Sequence, residues 1–348
     1  MSTLAIELAE VEEIREQEST PAALPPIVDA AGFLAEPVAT PTECVAGLLH
    51  QGSKLVLGGG SKTFKTWTLA DLAISVATGQ PWLGFNTNQG KVLFVNFEIQ
   101  AGFFQKRIAA VAREKQVELL PGQMELWNLR GYAAGYEILV PQIVERVKDN
   151  AYSLIILDPI YKLYGTANEN AANEVAQLLN AIESLAVASN AAVAFGAHYS
   201  KGNQAGKEAI DRISGSGVFA RDPDSILSFT KHESEDAFTV EATLRNFTPV
   251  EPFVVQWEYP LMRRADHLDP SKLKQAGGRP KRFTVETILD VLRVKELTTT
   301  EWFNLASPET GIGKSTFYDL LEEAKPLPNL RKTSTGKWFL HEKQRLDF

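Results

Sequence analysis

Residues 54–68, Lys-Leu-Val-Leu-Gly-Gly-Gly-Ser-Lys-Thr-Phe-Lys-Thr-Trp-Thr, decide how the whole chain is read. Leu55, Val56 and Leu57 read as a buried strand, and Gly58, Gly59 and Gly60 as a tight turn. Lys65-Thr66 then opens an apolar-periodic helix that runs through residues 67–77. Strand, glycine turn, Lys-Thr and helix are together the layout of a phosphate-binding loop. Small loop residues let backbone N–H groups wrap a phosphate, and the helix N-terminus adds partial positive charge. On this reading Gly59, Gly60, Ser61, Lys62, Thr63, Phe64, Lys65, Thr66 and Trp67 form the ATP-binding segment. Lys65 reaches the terminal phosphates and the Thr66 hydroxyl ligates Mg2+. One position departs: G-x-x-x-x-G-K-[ST] anchored on Lys65 asks for glycine at 59 and 64, and position 64 is Phe. The alternative is a strand-to-helix turn that merely contains Lys-Thr.

A length of 348 residues leaves room for one large core and a small second domain. An apolar content of 44% with 22% charged residues is that of an ordinary soluble globular protein. No apolar run is long enough to span a membrane and the N-terminus lacks a signal-peptide pattern. The single cysteine, Cys44, leaves neither an internal disulfide nor a cysteine zinc site, so a cytoplasmic protein with no membrane partner is expected. Net charge is −8, and it is segregated. Residues 1–50 hold nine acids against Arg15, whereas residues 271–348 hold fourteen bases against ten acids.

Residues 1–42, acidic and then rich in Pro and Ala, read as a partly ordered and mostly extended arm. A solvated tail or a clasp on a neighbouring subunit would both fit them. From 43 to 264 strands alternate with helices. Strands are predicted at 54–58, 91–97, 124–129, 153–157 and 191–197, and helices at 65–78, 101–117, 137–149 and 170–189. Three shorter strands follow at 224–230, 236–246 and 252–259. Apolar strands alternating with helices predict an α/β fold with a mostly parallel central sheet covered on both faces. Residues 265–282 read as a basic linker, with five bases and no acid in 272–282. Residues 283–348 read as a compact, mostly helical unit, with helices at 284–294, 298–306 and 314–324 and an extended pair around 329–341 turning at Gly336.

Four residues downstream of the loop carry candidate chemistry. Glu98 ends the second strand, where a carboxylate can deprotonate a water attacking a γ-phosphate; a helix N-cap or first-turn carboxylate is the plain alternative. Asp158 ends Leu154-Ile155-Ile156-Leu157, and four apolar residues then Asp is the pattern of a Mg2+ carboxylate. His198 ends the next strand, where it can sense the γ-phosphate. Residues 199–217 form a long polar loop whose Lys201, Lys207 and Arg212 suit a nucleic-acid backbone; a plain surface loop fits equally. Arg221 is the candidate arginine finger, with an ion pair to Asp222 or Asp224 as the alternative and Arg212 as competitor.

The segments Gly-Gly-Ser-Lys-Thr-Phe-Lys-Thr-Trp, Ala-Thr-Gly-Gln-Pro-Trp-Leu-Gly (77–84), Asn-Phe-Glu (96–98), Leu-Asp-Pro (157–159), His-Tyr-Ser-Lys-Gly (198–202) and Gly-Ser-Gly (215–217) resemble RecA-like P-loop ATPases of the AAA_25 type, related to RepA-like hexameric replicative helicases. The resemblance covers about 45–260. It implies an ATP site at subunit interfaces, with Lys65 and Thr66 on phosphate and Mg2+, Glu98 as base and Asp158 on the metal. It also implies His198 as sensor and Arg221 as finger, in a homo-oligomer for which those helicases suggest a hexamer. The C-terminal unit resembles a winged helix, with Lys314 opening its recognition helix and Lys332 and Lys337 flanking its wing. Gly313-Lys314-Ser315 imitates a phosphate loop, but residue 308 is Pro and no buried strand precedes it. The expected function is a DNA-associated ATPase motor, binding single strands through the core and duplex through the C-terminal unit. An ATP-switched DNA-binding regulator and an inactive scaffold are the alternatives.

Overall fold

The computed structural model describes residues 26–132, 134–165, 172–198, 219, 221–274, 283–292, 295–327 and 329–340. A short helix, α1 (Ala30–Ala35), is capped by the Asp29 carboxylate and buries none of its side chains. The expected extended arm thus contains a helical turn. The ordered core starts at a two-stranded ribbon, β1 (Glu43–Val45) and β2 (Leu49–His50), which sequence reasoning did not anticipate.

One nine-stranded sheet follows: β3 (Lys54–Gly59), β4 (Lys91–Asn96), β5 (Met124–Asn128), β6 (Tyr152–Asp158), β7 (Ala192–His198), β8 (Ser225–Lys231), β9 (Ala237–Leu244), β10 (Phe253–Glu258) and β11 (Leu261–Arg264). Its order is β11-β10-β9-β8-β3-β7-β6-β4-β5. Strands from β5 to β8 pair in parallel, and β8 to β11 continue as an antiparallel meander. The expected single strand at 252–259 is the first arm of the β10–β11 hairpin.

Side chains alternate across the sheet as a period of two requires. Leu55, Leu57, Leu154 and Ile156 enter the core beneath α2 (Lys65–Thr78) and α3 (Ala101–Glu114). Val56, Ile155 and Leu157 enter the opposite core beneath α4 (Tyr136–Val147) and α5 (Ala172–Ser189). A stretch of strand buried on both faces favours apolar residues throughout, which is why residues 55–57 in β3 and 154–157 in β6 are unbroken apolar runs. Burying each such side chain contributes roughly 1.5–3 kcal/mol.

The expected boundary at 264 moves outward. Ala265 is buried, the Asp269 carbonyl accepts from His232 Nε2 at 2.9 Å, and Thr239 Oγ1 donates to the Pro270 carbonyl at 2.9 Å. Residues 265–274 therefore pack on the core instead of leaving it, and 275–282 lie outside the described residues.

The C-terminal unit comprises α6 (Val285–Leu292), α7 (Thr299–Thr310), α8 (Lys314–Ala324), β12 (Leu330–Lys332) and β13 (Trp338–Leu340). Its core is Ile288, Trp302, Phe317 and Trp338 with their neighbours, and Trp302 Nε1 donates to the Ile288 carbonyl at 2.6 Å. Thr298 and Glu301 cap α7 reciprocally, and Leu297 bridges Trp338 to extend the hairpin. Among the described residues no helix is long and apolar enough to cross a membrane.

Candidate active site

The parallel register brings the predicted chemistry to one edge. Gly59 lies opposite His198 on β3 and β7, and Asn96 lies opposite Asp158 on β4 and β6. The C-terminal ends of these four strands lie along the same sheet edge, the edge at which ligands of parallel sheets bind. Lys65, Thr66, Glu98, Asp158 and His198 all follow or end those strands.

The loop is shaped by its smallest and its largest residues. A Cβ on Gly59 would meet Thr63 Oγ1 at 2.6 Å, so the buried Thr63 can close the turn only over glycine. Thr63 Oγ1 donates to the Gly60 carbonyl at 2.9 Å. Ser61 and Lys62 are exposed on the loop. Phe64, where glycine is expected, takes the left-handed conformation that glycine would take, at φ 57° and ψ 23°. That costs a non-glycine residue roughly 1–2 kcal/mol. The departure at 64 therefore changes the residue and keeps the backbone.

Lys65 opens α2, and its Nζ donates to the carbonyls of Gly59 at 3.0 Å and Gly60 at 2.9 Å. His198 Nδ1 lies 3.5 Å from the same ammonium. Burial lowers the Lys65 ammonium to about 8, with the Asp158 charge acting against that shift. The cation is thus held, partly desolvated, against the loop it would share with a phosphate.

Asp158 is 4% exposed, and burial pushes its carboxyl up to about 6. A hydrogen bond from Thr66 and the charge of Lys65 oppose the shift, and Glu98 adds to it. A desolvated carboxylate bonded to a hydroxyl is a hard oxygen pair, which fits Mg2+ held jointly with nucleotide phosphates and water. Among the described residues no group of three His, Cys, Asp or Glu could form an all-protein metal cage.

Glu98 stands two residues beyond β4, exposed, in a turn built by the buried Asn96. Asn96 Oδ1 accepts from Ile99 N at 2.9 Å, and its Nδ2 donates to the Ile99 carbonyl at 2.7 Å and to Asn128 Oδ1 at 2.9 Å. Tyr161, three residues after Asp158, hydrogen-bonds Glu98, and burial with the Glu98 charge raises its phenol to about 12. Neither Asn96 nor Tyr161 was anticipated as a site residue. The polar Asn closing an apolar strand was the available signal for the first.

Beside the loop lies an aromatic shelf. The Arg107 guanidinium sits 5.0 Å over the Trp67 ring, and Tyr259 meets Trp67 edge-on at 5.5 Å. Tyr259 is 69% exposed. An aromatic surface carrying a guanidinium next to a phosphate loop suits a nucleobase.

Arg221 lies elsewhere. It is exposed, four residues before β8, whose first residue Ser225 pairs with Leu55 near the start of β3. That is the edge of the sheet opposite the phosphate loop. Its alternative ion-pair partners are engaged by others: Asp222 with Lys54 at 2.5 Å, and Asp224 with Lys54 N at 2.9 Å. Lys201, Lys207 and Arg212 lie outside the described residues. In the C-terminal unit Lys314 is exposed, Lys332 lies 5.0 Å over the Trp338 ring, and Lys337 is half-buried in the β12–β13 connection.

The AAA_25 family model, an AAA domain, matches residues 18–204. No curated protein matches the chain. Among solved structures, the KaiC-like protein PH0186 from the hyperthermophilic archaeon Pyrococcus horikoshii OT3 is 15% identical, with a TM-score of 0.46, over 64% of this chain and 93% of that one. The family match spans the phosphate loop, Glu98, Asp158 and His198, and the chain belongs to the AAA_25 family of AAA domains.

Proposed function

We propose that this protein is a Mg2+-dependent ATP hydrolase that works on DNA as an oligomeric, RepA-like helicase or translocase. The observation that carries the hydrolase reading is the convergence of Lys65, Thr66, Glu98, Asp158 and His198 on one sheet edge. In this reading the loop and Lys65 hold the β- and γ-phosphates. Thr66 and Asp158 hold Mg2+, which when bound neutralises charge on the phosphate oxygens. Glu98, oriented by Tyr161, takes the proton of the attacking water, and His198 senses the γ-phosphate. The Arg107–Trp67–Tyr259 shelf receives the adenine.

Oligomerisation is supported by two features. Arg221 lies across the sheet from its own loop, so a finger role requires a neighbour's nucleotide. Ile27, Val28, Phe33, Leu34 and Val38, in and around α1, are all exposed apolar side chains suited to a second subunit.

DNA contact is assigned to Lys201, Lys207 and Arg212 for single strands, and to the C-terminal unit for duplex. The arrangement α6–α7–α8 with a β12–β13 hairpin is winged-helix-like, with Lys314 on the recognition helix and Lys332 and Lys337 on the wing. Residues 283–340 contain seven bases and eight acids, so the basic excess belongs to the stretch before them. Exposed Asp319, Glu322 and Glu323 restrict any phosphate contact of α8 to its first turn. The same unit supports a second reading, an ATP-switched regulator that reads duplex without unwinding it.

ATP turnover measured alone, with single-stranded and with duplex DNA, together with strand separation, tests these readings. Stimulation by single strands with unwinding supports the motor. Duplex binding without unwinding supports the regulator, and no turnover under any condition defeats both.

A further inference from the structure

We infer that Trp257 and Phe238 are positioning residues that hold Phe64 in its left-handed conformation and so shape the phosphate loop where glycine ordinarily would. The inference rests on the nucleotide-site reading above and names what sets the geometry of that site in this chain.

Phe64 is the N-cap of α2, so its backbone torsions fix the direction in which Lys65, Thr66 and the first helical amides leave the loop. Bulky residues avoid φ near +57° because Cβ crowds the following carbonyl oxygen. Glycine has no such penalty. A phenylalanine there stays only when its surroundings over-determine it.

The surroundings do so here. The Phe64 ring stacks on Trp257 with centroids 4.1 Å apart and planes 7° apart. Phe238 meets the same ring edge-on at 6.2 Å and 81°. These are the two favoured aromatic geometries, offset stack and edge-to-face, applied to one ring at once. Both partners sit on paired strands: Phe238 opposite Val255 on β9 and β10, Trp257 opposite Met262 on β10 and β11. Trp257 N also donates to the Asp236 carbonyl at 2.8 Å, which carries the β9–β10 ladder one residue past the Ala237–Gln256 pair. The antiparallel half of the sheet thus reaches the N-cap of α2 through the Phe64 ring. The Phe64 carbonyl in turn accepts from Thr68 N at 3.0 Å and Thr68 Oγ1 at 3.2 Å, which ties the braced residue into the helix.

Trp257 also touches Trp67 and Tyr259, so a loss of ATP affinity on its replacement could come from the base shelf alone. The test separates the two. Trp257→Leu is made in the wild-type chain and in a Phe64→Gly background. Binding of Mg2+–ATP and of Mg2+–tripolyphosphate, which has no base, is measured by calorimetry. Turnover is followed for KM and kcat separately.

A ring stack is worth ~0.5–1.5 kcal/mol beyond its buried area, which converts to a loss of about 2- to 12-fold in tripolyphosphate affinity. That loss is expected with Phe64 present, in KM and not in kcat. It is expected to vanish in the Phe64→Gly background, where the loop needs no brace. A loss for ATP but not for tripolyphosphate would make Trp257 a base-shelf residue only and overturn the inference. Equal losses in both backgrounds, or none in either, overturn it as well.

If the wild-type protein binds neither ligand, the nucleotide reading fails, and amide hydrogen exchange across residues 59–66 decides the brace on its own. Trp257→Leu must then speed exchange when Phe64 is present and not in the Phe64→Gly background. Exchange that is unchanged, or equally faster in both, overturns the brace.

Discussion

Two helices in this molecule begin with lysine and a hydroxyl residue after a glycine-containing turn, and their N-caps have exchanged roles. At α2 the N-cap is Phe64 with φ 57°, a conformation made for glycine. At α8 it is Gly313 with φ −77° and ψ 157°, extended backbone that any residue adopts. The first follows the buried strand β3 and sits at a sheet edge beside Asp158 and His198. The second follows α7 through Gly311-Ile312-Gly313 and faces solvent. The glycine content of a motif is thus a poor guide by itself. A buried strand that delivers the loop to a carboxylate-lined edge is what would fit Lys65 to a phosphate, whereas Lys314 is a surface cation.

Exchanging the two lysines for alanine should separate these ends most sharply. Lys65→Ala is expected to abolish ATP turnover, a loss of at least about 100-fold, and to weaken ATP binding with the fold intact. Lys314→Ala is expected to leave turnover unchanged. Steady-state turnover and circular dichroism check both, and equal turnover by Lys65→Ala and wild type would sink the phosphate-loop assignment.

Arg221→Ala extends the comparison to the far edge of the sheet. Turnover by the oligomer should be lost while ATP binding to the subunit remains. Mixing it with Glu98→Gln should restore part of the activity, because each variant then supplies what the other lacks at a shared interface. If Arg212→Ala behaves this way and Arg221→Ala does not, the finger is Arg212.

The buried end should also titrate. Asp158 must be ionised to hold Mg2+, and its carboxyl is raised to about 6; Lys65 must be protonated to hold phosphate, and its ammonium is lowered to about 8. The value of kcat/KM should therefore fall below pH ~6 and above pH ~8. The sign for stability is opposite at Asp158. Its folded pKa lies above the unfolded one, so its contribution is full below the unfolded value and is lost as pH rises through about 6. Ionised Asp158 costs the nucleotide-free fold about 3 kcal/mol at pH 7. Asp158→Asn should accordingly raise Tm by several degrees at pH 7 while eliminating Mg2+-dependent turnover. A lowered Tm would show that this carboxylate is a structural partner instead.

What was legible in the sequence was whatever is local and periodic. The limits of α2 (65–78) and α8 (314–324) are met residue for residue, because both are bounded by loop residues and carry helical apolar spacing. The buried strands β3, β4, β6 and β7 fall within a residue of expectation, because apolar runs buried on two faces have sharp polar ends. What depends on distant partners was not legible. The conformation of Phe64 is set with Phe238 and Trp257, which lie far along the chain on strands that only the sheet brings near. The strand expected at 252–259 turns back into a further strand at Leu261–Arg264 that was not expected, and α1 hid in a Pro- and Ala-rich stretch read as extended. Glu98 was expected at a strand end but stands in a turn that Asn96 folds. The edge on which Arg221 lies followed only from the β3–β8 register. The basic character of the C-terminal region belongs to residues 272–282, and summing the charge from 271 to 348 concealed that.

The smallest effect is expected at the solvent-facing end. Replacing Lys314, Lys332 and Lys337 together by Gln should leave turnover intact and weaken duplex binding. It should lower the slope of log K against log salt by about 0.9 for each phosphate no longer neutralised. An unchanged slope would assign duplex binding to the linker bases, and a 271–348 deletion that binds duplex as well as the full chain would make the C-terminal unit a protein-contact domain.

The most direct measurement on the central claim, that the edge formed by β3, β4, β6 and β7 hydrolyses ATP, is single-turnover hydrolysis by Glu98→Gln alongside its ATP affinity. An amide can hold a water but cannot take its proton. The account predicts Mg2+–ATP binding close to that of the wild type, with hydrolysis slowed by at least about 100-fold. Undiminished hydrolysis with ATP bound would contradict it and place the base elsewhere.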